Sequence, residues 1–174
     1  EVILVAGPSA QTTPYGVIRI DVEDAQQMHD EIVGLAADQD FIVMSAAVAD
    51  WRPAAPEDQK QTKEEMGASV DLERTPDILL ELSSKYGVDS SAGPIIIGFA
   101  AETHDIELRG KLKRKRKKAH LLVANKIGGE DSTFGSENVT AFIITATESL
   151  ALPNLSKDEL AFRIWTESQK LERA

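Results

Sequence analysis

The chain has 174 residues and a formal net charge of −10, from 19 basic and 29 acidic side chains. Hydrophobic residues make up 42% and charged residues 28%, a globular balance that excludes a disordered tail. The absence of cysteine excludes disulfides, thiolate metal sites, iron–sulfur clusters and a cysteine nucleophile, and three scattered histidines do not make an imidazole zinc site.

Val2-Ile3-Leu4-Val5 followed by Ala6-Gly7-Pro8 predicts a short buried strand ending in a turn. Gly16 to Val22 alternates as a second strand, and Asp24 to Ala37 carries Met28, Ile32, Leu35 and Ala36 at helical spacing. Phe41-Ile42-Val43-Met44 is a continuous apolar run, as expected of a strand buried on both faces. Residues 51–67 hold Pro53, Pro56, Gly67 and many polar side chains, and so predict a long functional loop. Ser69 to Glu73 alternates as a short strand, and Pro76-Asp77 opens a helix. A buried strand over Ile95 to Ala100, a basic helix from His104 to Lys118 and a strand over Leu121 to Ala124 follow. Lys126 to Glu137 reads as a glycine-rich loop and Val139 to Thr145 as a strand. Ser156 then caps a last amphipathic helix through Leu171. No apolar run approaches the roughly 18 residues of a membrane span, and no signal-peptide pattern opens the sequence, so a soluble, cytoplasmic protein without a membrane partner is expected.

Strands alternating with helices predict an α/β fold, a three-layer α/β/α Rossmann-like sandwich around a mostly parallel sheet, in one domain over residues 1–174. Ligands of such sheets bind beyond the carboxyl ends of the strands, so Ser45 to Asp50, Phe99 to Glu102 and Asn125 onward are the informative segments. Arg109, Lys111 and the unbroken run Lys113 to Lys118 put eight cations into ten positions of an acidic chain. A lysine run is ordinarily a solvated helix face. Here the crowding of like charge points to a small polyanionic ligand, since nucleic acid needs a broad basic surface. Lys113 and Lys117, at i and i+4, share a helix face and suit a triphosphate, although neighbouring cations on the segment serve equally well by spacing alone. Arg114 and Arg116, on other faces, are expected to matter less. Asp50 follows small residues that let a ligand approach the backbone, and Lys60 and Lys63 lie in the long loop, where lysines are ordinarily surface decoration. Neither a P-loop nor a GxGxxG fingerprint is present.

Together these segments resemble phosphopantothenoylcysteine synthetase. The matching stretches run in family order: Ala6-Gly7-Pro8; Ala46-Ala47-Val48-Ala49-Asp50-Trp51-Arg52-Pro53; Lys60 with Lys63; Pro76-Asp77-Ile78; Gly98-Phe99-Ala100-Ala101-Glu102-Thr103; Lys113 to Lys117; Val123-Ala124-Asn125; and Phe134 to Asn138. The resemblance implies a ligase that activates 4′-phosphopantothenate with CTP, accompanied by Mg2+, and joins it to cysteine. It implies a homodimer and possible fusion or association with a flavin-dependent phosphopantothenoylcysteine decarboxylase, with no nucleic-acid partner. By position, Met44, Ser45 and Ala46 line the nucleotide, Asp50 meets the ribose or base, and Lys60 closes over the reacting phosphate as the catalytic lysine. Pro76, Asp77, Ile78 and Leu79 set a helix start against the nucleotide, Phe99 walls the base, Lys113 and Lys117 hold the triphosphate, and Asn125 supports the site.

The sequence departs from the family at Thr75, where asparagine is usual, and at His120, where aspartate is usual. The family's opening strand and the glycine-containing loop after it have no counterpart, so the domain is expected to be incomplete at its N-terminal side and unstable alone. Three rival readings use the same residues. A non-catalytic nucleotide-binding module would bind CTP without releasing CMP, a nicotinamide-dependent reductase would bind NADPH, and an RNA-binding domain built on residues 109–118 would show steep salt dependence.

Overall fold

In a computed structural model that describes residues 1–55, 69–90, 92–128 and 138–171, the apolar runs become the strands of three sheets. In chain order the elements are β1 (Val2–Ala6), β2 (Val17–Asp21), α1 (Ala25–Leu35), β3 (Phe41–Met44), β4 (Trp51–Pro53), β5 (Leu72–Arg74) and α2 (Ile78–Tyr86). They continue with β6 (Ile95–Glu102), α3 (Ile106–Lys117), β7 (Leu121–Lys126), β8 (Asn138–Ile144), β9 (Ser149–Ser156) and α4 (Lys157–Ser168). A turn of 3-10 helix, Ala36–Asp38, follows α1. The chain divides into two compact units, Glu1–Ile32 with Ala47–Asp77, and Val33–Ala46 with Ile78–Ala174.

The first unit holds two small sheets. β1 and β2 pair in parallel, from Val2 opposite Val17 to Ala6 opposite Asp21. Parallel neighbours are ordinarily joined by a helical crossover. Here residues 7–16 contain no helix, and side-chain bonds fix the connection instead. Arg19 donates through Nη1 to the Gln11 carbonyl at 2.8 Å and through Nε to Asp21 at 2.7 Å. β4 pairs antiparallel with β5, and Arg52 bonds Glu73 across the pair at 2.7 Å. Sequence reasoning places β5 slightly early and does not find β4, because three exposed residues give no burial pattern to read.

The second unit is built on a five-stranded sheet of order β3-β6-β7-β8-β9, in which only β8 runs against the others. Two of the continuous apolar runs predicted for buried strands, β6 and β7, sit at its centre, whereas Phe41–Met44, expected to be buried on both faces, ends the strand order as β3 and leaves Val43 49% exposed. Ile95, Ile96 and Ile97 of β6 and Leu121 to Ala124 of β7 are at most 2% exposed. Alternation sends their side chains to opposite faces. Ile95, Ile97, Leu121, Val123, Ala141 and Ile143 form one core with Leu160 and Ile164 of α4. On the other face a Cβ added at Gly98 would meet Leu79 of α2, and one added at Gly110 of α3 would meet Ile144 and Ala124. Thus α2 and α3 cover one face and α4 the other, and the fold is the expected three-layer α/β/α Rossmann-like sandwich with a mostly parallel sheet.

Of the boundaries that differ from the sequence reading, two have a readable cause. Pro76 and Asp77 precede α2 rather than forming its first turn, since α2 begins at Ile78. The strand expected at residues 139–145 starts at Asn138 and turns into β9, which the interrupting Pro153 conceals from a periodicity reading. Proline is tolerated there because β9 is an edge strand.

Candidate functional site

The carboxyl ends of β3, β6 and β7 bring several predicted residues together. Met44 ends β3 opposite Gly98 of β6, so the exposed Ser45 and Ala46 leave the sheet beside Phe99. Gly98 has no side chain where Leu79 sits; a Cβ there would come within 2.7 Å of Leu79 Cδ2. The start of α2, with Ile78 buried and Leu79 half-buried, therefore closes onto the same strand end. Asn125 lies opposite Ala101 near the end of β7.

Phe99 packs, half-buried, against the core on the α4 face, whereas α3 covers the other face. The sheet thus separates the Phe99 ring from the Lys113 side chain. Within the first unit, Asp50 is exposed and its carbonyl accepts from Thr75 N at 3.1 Å, while the Thr75 hydroxyl donates to the Ala49 carbonyl at 2.5 Å. Pro76 and Asp77 follow directly. Lys60 and Lys63, together with residues 129–137 of the late glycine loop, lie outside the described residues.

On α3 the crowded cations take different roles. Lys111 pairs with Glu107 at 2.5 Å, and Lys118 with Asp89 at 2.9 Å. Arg114 turns inward and donates to the Ala119 carbonyl at 2.9 Å, and burial pushes its guanidinium below the ordinary arginine range. Four cations, Arg114 to Lys117, occupy the last turn, where the helix dipole favours positive charge.

Arg109, Lys113 and Arg116 instead line an open cleft of about 260 Å³ with Leu112 and Glu102. Glu102, at the end of β6, has a side chain only 9% exposed. It accepts from Arg109 Nε at 2.5 Å and lies 3.8 Å from Lys113 Nζ. The bond to Glu102 holds the Arg109 guanidinium above the ordinary arginine range.

Lys113 thus lies at a concave cationic surface. Lys117, the expected second half of the clamp, does not line this cleft. Arg116 does, contrary to its expected placement on another face. Sequence reasoning left the neighbouring cations open by spacing without singling out Arg109 or Arg116, and marked the Phe99 to Glu102 segment without giving Glu102 a role. The available signal was the spacing i, i+4, i+7 of Arg109, Lys113 and Arg116, which marks one helix face as surely as an i, i+4 pair.

The "DNA/pantothenate metabolism flavoprotein C-terminal domain" family matches residues 1–171. The coenzyme A biosynthesis bifunctional protein CoaBC of Vibrio vulnificus (strain CMCP6) is 36% identical over 172 residues, which is 98% of this chain and 42% of that protein. The chain thus spans less than half the length of that relative. The crystal structure of the C-terminal domain of a CoaBC protein is 32% identical with a TM-score of 0.75, over 96% of this chain and 72% of that one. A Cab2 mutant in complex with phosphopantothenate-cysteine shares the fold, with a TM-score of 0.64 at 14% identity over 88% of this chain and 53% of that one. The resemblance read from the Ala46 to Pro53 and Gly98 to Thr103 blocks is borne out, and the chain belongs to the family of DNA/pantothenate metabolism flavoprotein C-terminal domains.

Proposed function

We propose that the chain is the ligase domain that joins 4′-phosphopantothenate to cysteine in coenzyme A biosynthesis, through an acyl-cytidylate made from CTP. One observation carries the reading: in a chain of this family, cations of α3 are folded against the carboxyl end of β6, the end at which an open α/β sheet binds its ligand. A carboxylate oxygen of 4′-phosphopantothenate attacks the α-phosphorus of CTP, the bond to the bridging oxygen breaks, and pyrophosphate leaves. The amine of cysteine then attacks the acyl carbon, loses a proton, and expels CMP as the amide forms. Both steps depend on positioning and on cations at developing charge, with no nucleophilic side chain required.

In this reading the backbone of Met44, Ser45 and Ala46 lines the nucleotide, Asp50 meets the ribose or base, and Pro76 to Leu79 bring the helix start against it. Phe99 walls the base from the α4 face of the sheet, Lys113 holds the triphosphate from the cleft on the α3 face with Lys117 one helical turn further along α3, and Lys60 closes over the reacting phosphate. Mg2+ fits as a companion of the triphosphate. Among the described residues no three acidic or histidine side chains gather as a metal site, and nucleotide-bound Mg2+ takes most of its ligands from phosphate oxygens and water. With that family likeness as support, we read the domain as a cytoplasmic homodimer, fused to or associated with a flavin-dependent decarboxylase. The segment from Val139 to Leu152, within β8 and β9, is the candidate subunit contact. No helix among the described residues is long and apolar enough to cross a membrane.

The test is CMP release and phosphopantothenoylcysteine formation from CTP, 4′-phosphopantothenate and cysteine. Lys60→Gln is expected to lower acyl-cytidylate formation roughly 100-fold or more while barely changing CTP affinity. A protein that binds CTP yet releases no CMP is a nucleotide-binding module instead.

A further inference from the structure

We propose that Arg109 and Arg116 are direct ligands of a phosphate group in the cleft around Lys113, and that the buried Glu102 is the positioning residue that aims these cations. The inference rests on the ligase reading for the source of the phosphate, and on the cleft alone for its chemistry. Glu102 is the starting point. A carboxylate only 9% exposed at the end of an apolar strand is costly unless paired. A structural ion pair would need one cation, yet two converge on it, Arg109 Nε on one oxygen and Lys113 Nζ on the other. Arg109 reaches Glu102 through Nε, and its side chain stays 49% exposed, so the terminal amino groups of the fork keep donors for a second anion. Arg116 lines the same cleft, and among the described residues no carboxylate pairs with it.

Three cations against one carboxylate leave a surplus of two positive charges in a concave space of about 260 Å³. That surplus matches a phosphate group carrying two negative charges. The exposed Leu112 adds an apolar wall beside it. Under the ligase reading both CTP and 4′-phosphopantothenate bring such a group.

The experiment is calorimetric titration of the full chain with tripolyphosphate, CTP, cytidine and 4′-phosphopantothenate. Arg109→Met and Arg116→Met are each expected to weaken tripolyphosphate roughly tenfold, the effect of losing one charge-assisted bond, and to leave cytidine unchanged. The same loss for CTP alone identifies the nucleotide as the source, and for 4′-phosphopantothenate alone the other substrate. Glu102→Gln separates positioning from simple charge. Removing a negative charge tightens anion binding by Coulomb attraction, whereas loss of a positioning group weakens it. Weakening of roughly tenfold is expected, with a thermal melt to show that the variant folds. The two arginine variants, altered at exposed side chains, carry the test should Glu102→Gln unfold. Parental affinity for tripolyphosphate in both arginine variants overturns the site, and tighter binding by a folded Glu102→Gln overturns the positioning role. CMP release is read separately. Its absence with the predicted binding losses sinks the ligase reading and keeps the cleft, while full release with parental binding in the variants sinks the cleft alone.

Discussion

His120, the residue without an evident purpose in the sequence, is explained by what its ring accepts. Its Nδ1 accepts the Ile96 N–H at 3.0 Å, and the His120 backbone N–H donates to the Ile96 carbonyl at 3.0 Å. An aspartate, usual at this place in the family, is equally an acceptor, so the departure preserves the function of the side chain. His120→Asp is expected to leave stability within about 1 kcal/mol, whereas His120→Leu strands a buried N–H and costs about 1–3 kcal/mol. Urea denaturation of the two variants checks the difference. Thr75 follows the same logic, since its hydroxyl tethers the Ala49 carbonyl next to Asp50. Which cations gather at the cleft was less legible. Side-chain direction on a helix depends on what the neighbouring strands offer, and the carboxylate that draws Arg109 and Lys113 together belongs to β6, seven residues before Arg109.

At the scale of elements, α3 is read correctly as a basic helix, but its buried glycine escapes a composition-based reading. Alanine is the better helix former by about 1 kcal/mol. At Gly110, however, a Cβ would come within 2.5 Å of Ile144 Cδ1 and 2.8 Å of Ala124 Cβ. Gly110→Ala is therefore expected to destabilise by about 1–3 kcal/mol, against helix propensity, and to weaken tripolyphosphate binding by displacing the cleft-lining face. A melt and a titration on the same sample check both effects.

The start of α4 was legible in full. Ser156 accepts from Glu159 N, and the Glu159 carboxylate accepts from Ser156 N at 2.9 Å, a reciprocal capping box. Ser156→Ala is expected to cost about 1 kcal/mol near neutral pH. The backbone and hydroxyl of Ser156 hold the Glu159 carboxyl below its usual range. Its contribution is thus present above the unfolded-state value and is lost as pH falls through the folded-state value. The gap in melting temperature between parent and variant narrows in acid accordingly. Of the β8–β9 pair, β8 was expected, but β9 was missed because edge strands carry weaker apolar alternation and admit Pro153.

For the whole molecule, the strand and helix order was legible because buried strands are continuous apolar runs, a signal that survives without any contact information. The division into three sheets was not, because pairing partners are set by long-range geometry. β1 pairs only with β2 and β3 only with β6 among the described residues. Both carry exposed apolar side chains, with Val2 57% and Val43 49% exposed. Open parallel edges of this kind accept a further strand.

The two borders of the five-stranded sheet are unequal, and this gives the sheet a direction of growth. At β9, Pro153 removes a backbone donor, Asn154 takes a left-handed turn at φ 51°, and the register slips between Val139 and Ala141. Such irregularities stop further pairing. At β3 a short, apolar, regular strand pairs on one side only among the described residues. Added chains can dock at one border only, so misassembly through this sheet terminates after a single joining event. Heat-stressed protein would then collect as discrete small species through this sheet and not elongate into cross-β fibres.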